Sequence, residues 1–522
     1  MESNIQKKID HVIVLMMENR SFDNLLGWLY DDTEQPKHFL PVPDKSFDKI
    51  NHYNGLSGLN YSNPLDLNNP DSAIKIKKGV TNFQIPNPDP HEEFKYMNRQ
   101  LFGLEINTKT QGWLPKEEGI KPGMQGFLSD YITAKCSSEK IAPQIMQTYT
   151  STDLSVMSAI SKKYAVSDNY HASTPTQTWP NRAFMHAGTS NGKVNNFPYF
   201  PHNSNTIFNV FEDAGHSWKV YKSSKIIPSL TRIQMRKLWL PKFNDNFSTV
   251  DKFINDCSKG MLPAYSFIEP SFVVEKGNNA TSEHPPADVC SGDHFLETIC
   301  NAVVQSPVFD KILFIINFDE HGGCPDHVPP KWTAVAPDDE SKPGKHGFNF
   351  NRYGVRVPAI FISPHIPEST CIRANGDPWN WDKLNKPFDH TSILAMLLDW
   401  KKIDRNNLLG ERVQTQEKHA FDNLLSGDNR TDRPQFKSLC KINKQSIFQR
   451  IINFILNLLG LCGKGYSLTS LQKSILVADL HFRKAQALEF RVDVIIEQDE
   501  IDDLLKNIKT EEQMLAHFES LY

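Results

Sequence analysis

A chain of 522 residues is longer than one hydrophobic core usually accommodates, so one large domain plus an appendage is expected. Apolar and charged fractions of 39% and 23% are those of an ordinary soluble protein, and a net charge of −4 without a long basic stripe leaves no nucleic-acid footprint. An aromatic content of 11% and 33 prolines point to long, well-packed loops rather than a helical bundle.

The eight cysteines contain no CxxC pair, which argues against a zinc ribbon or a thioredoxin-type motif. Their scatter supports no disulfide framework, so free buried thiols are expected.

In chain order, residues 9–17 form the first apolar strand, ending in Glu18-Asn19-Arg20-Ser21-Phe22-Asp23. Oxygen-bearing side chains therefore stand at the strand's C-terminal end, and Ser21 can cap a helix over FDNLLGWL. The apolar part of this segment, 12–17, is too short for a secretory h-region and no small-residue cleavage site follows. No stretch is long and apolar enough to span a bilayer. Residues 31–140 shift to Asn, Pro, Asp and Gly with little periodicity, the texture of a lid or substrate-facing insertion, and contain Asp89-Pro90-His91-Glu92.

Residues 141–165 read as helix and 164–170 as a short strand, which runs into the hydroxyl-rich turn HASTPTQTWPNRAF. Further strands are expected at 217–221, 264–268 and 357–362, and strands separated by helices or loops favour an α/β sheet. The central stretch is 311–330, KILFIINFDEHGGCPDHVPP. Its run 312–316 is apolar throughout, as for a strand buried on both faces of a parallel sheet. It stops in Asp319-Glu320-His321-Gly322-Gly323, followed by Asp326-His327, where the glycines let the backbone turn at once. That density of ligand side chains at the carboxyl end of a strand points to a metal site.

Phe388-Asp389-His390-Thr391 opens a helix, TSILAMLLDW, with Thr391 or Ser392 as its cap. The texture changes again near residue 430. Residues 447–461 read as an apolar helix with Gln449, Asn453 and Asn457 as a narrow polar stripe, core-facing, with a membrane anchor as the alternative. Residues 467–521 read as mostly strand-like and then acidic and helical. The expected division is a catalytic domain over 1–430 and a small C-terminal extension, α/β or helical, over 431–522.

Glu18-Asn19, a Thr near 178, and Asp319-Glu320 each follow a predicted strand and together offer hard oxygen ligands suited to a divalent cation. A hydroxyl bound to such a cation ionises far more easily, which can make a threonine nucleophilic toward phosphorus. Arg182 and several histidines can then hold the equatorial oxygens.

The segments HVIVLMMENRSFDNLLGW, TWPNRAF, EHPPADVCSGDHF, NFDEHGGCPDHVPP and FDHTSIL resemble the bacterial phospholipase C and acid phosphatase family of phosphoesterases, a branch of the alkaline-phosphatase-like superfamily. The likeness runs over residues 9–412. It implies a doubly wound, mostly parallel α/β core with the metal at the C-terminal edge of the sheet. It further implies Glu18, Asn19, Thr178, Asp319 and Glu320 as metal ligands and Thr178 as nucleophile. His91 and His284 would contact phosphate or protonate the leaving group, joined by His346 from KPGKHGFNF. His321, Asp326, His327 and His390 lie in matching motifs without distinct roles.

Two features depart from the pattern. Pro175-Thr176-Gln177-Thr178 replaces a glycine-containing PGPT or PGST, which leaves Thr176 open as the nucleophile, and Cys324-Pro325 replaces an aromatic pair.

The resemblance implies zinc, whereas the oxygen-rich ligand set suits magnesium or manganese better. The activity it implies is that of a phospholipase C at a membrane surface, releasing diacylglycerol and a head group such as phosphocholine. A broad acid phosphatase acting on monoesters is the alternative, and a non-catalytic membrane- or protein-binding factor the second. Without a classical signal, the chain is expected to be cytoplasmic or exported by a specialised route. Its end, TEEQMLAHFESLY, resembles C-terminal signals of bacterial effector-injection systems.

Overall fold

The computed structural model describes residues 2–41, 51–103, 118–197, 201–275, 278–374, 379–382, 386–418, 420–442, 470–488 and 496–521. The expected helix 447–461 lies outside the described residues.

Among the described residues the core is a nine-stranded sheet made of β1 (His11–Met17), β2 (His38–Leu40), β3 (Ala165–Ser167), β4 (Trp218–Lys222), β5 (Phe247–Thr249), β6 (Tyr265–Glu269), β7 (Ile312–Phe318), β8 (Ala359–Ile362) and β9 (Thr370–Ile372). Their spatial order is β2-β9-β3-β8-β7-β1-β6-β4-β5. Strand β1 lies between β6 and β7, parallel to both, with Val12 opposite Tyr265 on one side and Leu313 on the other. Only β8 runs against its neighbours β7 and β3. The sheet is thus mostly parallel, as expected, and every residue of β7 is buried, which explains its uninterrupted apolar run. Because β1, β3, β6 and β7 point the same way, the loops carrying Glu18, Thr178, Glu283-His284 and Asp319 leave from one edge.

Several expectations are corrected. The 31–140 segment is not devoid of regular structure: it supplies edge strand β2, a hairpin of Ser62–Asp66 with Asn69–Lys75, and helices Phe94–Phe102 and Phe127–Tyr131. Much of the hairpin is exposed, so its alternation lacks the apolar face by which strands are recognised. The helix expected over 141–165 is two pieces, a 3₁₀ turn Ala142–Met146 and a helix Ser155–Lys163. They are separated by a turn in which Asp153 accepts from the Thr150 N–H and hydroxyl. The helix His390–Trp400 is capped by Asp389, not by Thr391 or Ser392.

Two cysteines expected to be free, Cys290 and Cys440, form a disulfide across 150 residues, and Cys136 is also disulfide-bonded. Strand and helix patterns carry no information about that pairing. It arises because the chain after residue 430 runs along helix Val289–Val304, where Asn301 exchanges two hydrogen bonds with the backbone of Phe436.

Residues 470–487 are a helix, not strand-like. Leu471, Ile475, Ala478, Phe482 and Ala485 recur at intervals of four and three, and this spacing outweighs the local apolar clustering. Together with Gln498–Asn507 and Glu511–Leu521, this helix shares an apolar cluster with Trp179, Ile227, Ile233 and Trp239 of the preceding fold.

At the end of β3, Asp168 receives Nε and Nη2 of Arg373 at 2.8 and 2.6 Å and the Asn54 N–H at 2.8 Å. Burial acts against the charge of Asp168, but Arg373 outweighs it and holds the carboxyl below its ordinary value. A depressed carboxyl contributes stability that is complete above the unfolded-state value, about 3.9, and is lost as pH falls through the folded value. Urea midpoints measured from pH 6 downward are therefore expected to fall less steeply below about pH 4 in Asp168→Asn than in the wild type. Equal slopes would refute this assignment.

Candidate active site

Strand β1 delivers Glu18 and Asn19 to the edge of the sheet, both buried. Asn19 adopts the left-handed conformation (φ 61°), and its short polar side chain tolerates this. The turn is set against the loop after β7. The Asn19 N–H donates to Asp319 Oδ1 at 3.0 Å, and a Cβ on Gly322, itself at φ +59°, would stand 2.1 Å from the Asn19 carbonyl oxygen. Gly322 is therefore required by close approach as well as by its backbone angle. Ser21 accepts from the Asn24 N–H, as a helix cap should, and donates to Pro325 O at 2.6 Å, joining the same two loops.

Thr178 opens helix Thr178–Ala187, and its hydroxyl donates to Asn19 Oδ1 at 3.2 Å. Thr176 turns away toward the Asn181 amide, 3.4 Å from its hydroxyl oxygen. The Asn19 amide nitrogen donates to Glu320 Oε1 at 2.8 Å and to Glu92 Oε1 at 2.5 Å. Arg182, one turn into the Thr178 helix, lies 3.8 Å from Glu18 and 3.6 Å from Asp319. Its guanidinium also donates to the Met16 carbonyl and stacks 4.8 Å from the Phe272 ring. Glu18, Asn19, Thr178, Arg182, Asp319 and Glu320, predicted from three distant segments, are thus brought together.

Of the predicted histidines, His284 joins this group, with Nε2 3.1 Å from Glu92 and Nδ1 3.7 Å from Asp89. Burial alone would lower its pKa, but these two carboxylates outweigh burial and raise it well above the ordinary value, so His284 is cationic. His91 instead stacks on Tyr96 at 3.7 Å and lies 3.4 Å from Asp130. His346, half-buried, stacks at 6.5 Å on Phe94.

Sequence reasoning singled out the Asp89–Glu92 segment but chose His91, and it missed Glu92, the residue that links Asn19 to His284. The adjacent carboxylate in PHE was the available signal. His390 also gains a role. Its Nε2 donates to the Asp319 carbonyl at 2.8 Å while Nδ1 meets the Tyr170 hydroxyl at 3.1 Å, and burial pulls its pKa down to about 4. It is a neutral brace for the end of β7. His321, kept neutral by burial with a pKa of about 3, meets Gln100 Oε1 at 2.9 Å.

The electrostatics of this cluster suit a cation. Burial, above all, raises Glu18 to about 8 and Asp319 to about 6, and pushes Glu320 well above the ordinary carboxyl value. Glu18 Oε2 and Asp319 Oδ2 are buried without a hydrogen-bond partner. Buried carboxyl oxygens that lack a hydrogen-bond donor, and whose charge burial opposes, are the donor set that a divalent ion satisfies. Glu18, Asp319 and Glu320 do not form a group whose ligand atoms all lie within 4.8 Å of one another, and Arg182 stands 3.8 Å from Glu18 and 3.6 Å from Asp319. Among the described residues the groups that do are Asp89-Glu92-His284, Asp23-Asp326-His327 and Cys290-His294-Cys440. The first borders Asn19, the second is neutralised by Arg356, and the third contains the disulfide.

A profile of the Phosphoesterase family matches residues 9–402. Non-specific phospholipase C3 of Arabidopsis thaliana is 34% identical over 398 residues, covering 74% of this chain and 69% of that protein. Phospholipase C B of Mycobacterium tuberculosis is 26% identical over 429 residues, covering 74% and 72%. A solved structure of an alkaline phosphatase superfamily protein from Vibrio parahaemolyticus aligns with 51% of this chain and 64% of its own at 14% identity and a TM-score of 0.29, too small a likeness to carry an argument. The match across the segments that supply the buried acidic cluster establishes that the chain belongs to the phosphoesterase family and is a phosphoric ester hydrolase.

Proposed function

We propose that the chain is a metal-dependent phospholipase C that hydrolyses glycerophospholipids to diacylglycerol and a phosphorylated head group, with Thr178 as nucleophile. The observation that carries this reading is the Thr178 hydroxyl, hydrogen-bonded to Asn19 inside a cluster of buried carboxylates, in a chain whose relatives are named phospholipases C.

Glu18, Asn19, Thr178, Asp319 and Glu320 would hold a divalent ion, zinc by family likeness, which when bound supplies a Lewis acid that favours the ionised hydroxyl. Thr178 Oγ1 attacks phosphorus in line, the bond to the glycerol oxygen breaks, and a threonine phosphodiester that still carries the head group forms. His284, held cationic by Glu92 and Asp89, donates a proton to the departing oxygen. In the second half, His284 takes a proton from water as that water displaces the threonine oxygen. Arg182 stabilises the negative charge that gathers on the equatorial oxygens.

A diester is favoured over a monoester by the charge balance. Among the described residues, Arg182 and His284 are the cationic side chains within 4 Å of these carboxylates, and a monoester dianion would need more. Parallel assays with phosphatidylcholine vesicles and an aryl phosphate monoester provide the test. Release of phosphocholine and diacylglycerol is expected, and turnover of the monoester alone would sink the reading in favour of an acid phosphatase.

A further inference from the structure

We propose that Ser470, in the C-terminal segment beyond the part of the chain matched by the family, is a positioning residue for Thr178. This rests on the reading of Thr178 as nucleophile.

The direction of the Thr178 hydroxyl depends on the first turn of its helix, and three side chains outside that helix fix this turn. Asn196 Oδ1 accepts the Trp179 N–H at 2.8 Å, satisfying one of the donors that a helix N-terminus leaves open. Gln177, immediately before Thr178, accepts the Asn196 N–H on its Oε1 at 2.9 Å. The amide nitrogens of both residues, Gln177 Nε2 and Asn196 Nδ2, donate to a single acceptor, the Ser470 hydroxyl oxygen, at 3.0 and 3.4 Å. Gln177 and Asn196 are 2% and 1% exposed, so their amides depend on protein acceptors, and half-buried Ser470 supplies one to both.

A terminal amide has one end that donates and one that accepts, and rotating it by half a turn exchanges them. With both nitrogen ends drawn to Ser470, both oxygen ends face the backbone N–H groups of Trp179 and Asn196. Without the Ser470 oxygen, no other acceptor among the described residues rewards that orientation at the nitrogen ends. A turned Asn196 would then set an N–H against the Trp179 N–H and loosen the turn that begins with Thr178.

Ser470 is held in place independently of this network. Its helix, Ser470–Ala487, is seated by Leu471, Ile475 and Phe482 in the cluster that also buries Trp179 and Trp239, with the Phe482 and Trp239 rings 5.6 Å apart. One turn further on, Ser474 donates to the Asn196 carbonyl at 2.5 Å. The C-terminal helix therefore grips the shelf behind the nucleophile, a role that neither the family match over residues 9–402 nor the acidic cluster assigns to it.

The test uses the full chain with phosphatidylcholine vesicles, comparing Ser470→Ala, Ser470→Thr, Thr178→Ala and Lys484→Ala, the last breaking a surface ion pair from the Ser470 helix to Glu500 of Gln498–Asn507. Displacing a reacting group by a fraction of an ångström slows chemistry without weakening substrate binding. Ser470→Ala is expected to lower kcat by about tenfold with KM within about twofold and the thermal midpoint nearly unchanged. Ser470→Thr, which keeps the oxygen, recovers most of kcat, and Lys484→Ala matches the wild type. An unchanged kcat in Ser470→Ala overturns the proposal, as does a loss that follows the melting temperature and is not rescued by threonine. If Thr178→Ala remains active, the nucleophile reading itself fails. If Thr178→Ala is inactive and Ser470→Ala is unaffected, only the role of Ser470 is lost.

Discussion

Replacing Thr178 with alanine is expected to reduce phosphatidylcholine hydrolysis by about a thousandfold or more, because removing a covalent nucleophile costs most of the rate enhancement when no neighbour can take over. The geometry leaves little room for a substitute, since the Thr176 hydroxyl faces Asn181 while Thr178 alone of the two reaches Asn19. Thr178→Ser retains the oxygen and should keep measurable activity. Acid quench of the wild type during turnover should trap a threonine carrying phosphocholine, located by peptide mass spectrometry at 178. A phosphocholine adduct at 176, or full activity in Thr178→Ala, would remove the mechanism. Asp319→Asn tests the ion separately. It should lose both activity and bound metal by elemental analysis, with the Asn19–Asp319 backbone contact weakened rather than abolished.

The largest expected loss of stability belongs to Arg356, which stands in none of the recognisable motifs. Its guanidinium is fully buried and serves four acceptors: Asp326 and Asp23 at 3.0 Å each, and the carbonyls of Asn54 and Asp168 at 2.8 and 2.9 Å. It lies 4.4 Å from the Phe22 ring. His327 completes the group, with Nδ1 2.6 Å from Asp23. Asp23 sits in the helix that follows Asn19 and Asp326 in the loop that follows Glu320, so one cation ties together both segments of the acidic cluster. Removing one partner of a buried ion pair leaves uncompensated charge at a cost of about 3–5 kcal/mol, and here two carboxylates would be stranded. Arg356→Met is expected to lower unfolding stability by that amount in urea titration. Arg356→Lys should recover only part of it, because an ammonium cannot match a planar fork with four acceptors. A loss below about 1 kcal/mol for Arg356→Met would mean that the pairs are not what holds these loops.

Much of the fold was legible because its signals are local. The apolar run 312–316 could be read as a doubly buried strand from five consecutive residues, and β7 is buried throughout. Glu18-Asn19 and Asp319-Glu320 were visible as ligand types because they stand directly after such runs. The insertion 31–140 was harder. Its hairpin exposes much of its surface and its helix Phe94–Phe102 follows a loop of prolines, so the apolar periodicity that marks elements was diluted. The C-terminal helix Ser470–Ala487 was misread because its apolar residues cluster locally even though their spacing is helical.

The sequence by itself determined which oxygens the chain can offer and at which strand ends they stand, since burial period and turn chemistry are written within a few neighbouring residues. Only the tertiary structure decided the partners: Glu92 rather than His91 beside Asn19, Arg356 between Asp23 and Asp326, Cys440 against Cys290, and Ser470 beneath Gln177. These contacts join residues 30 to 333 positions apart. Charge pairing and close packing depend on separation in space, which the spacing along a chain does not encode until the sheet brings its strand ends together.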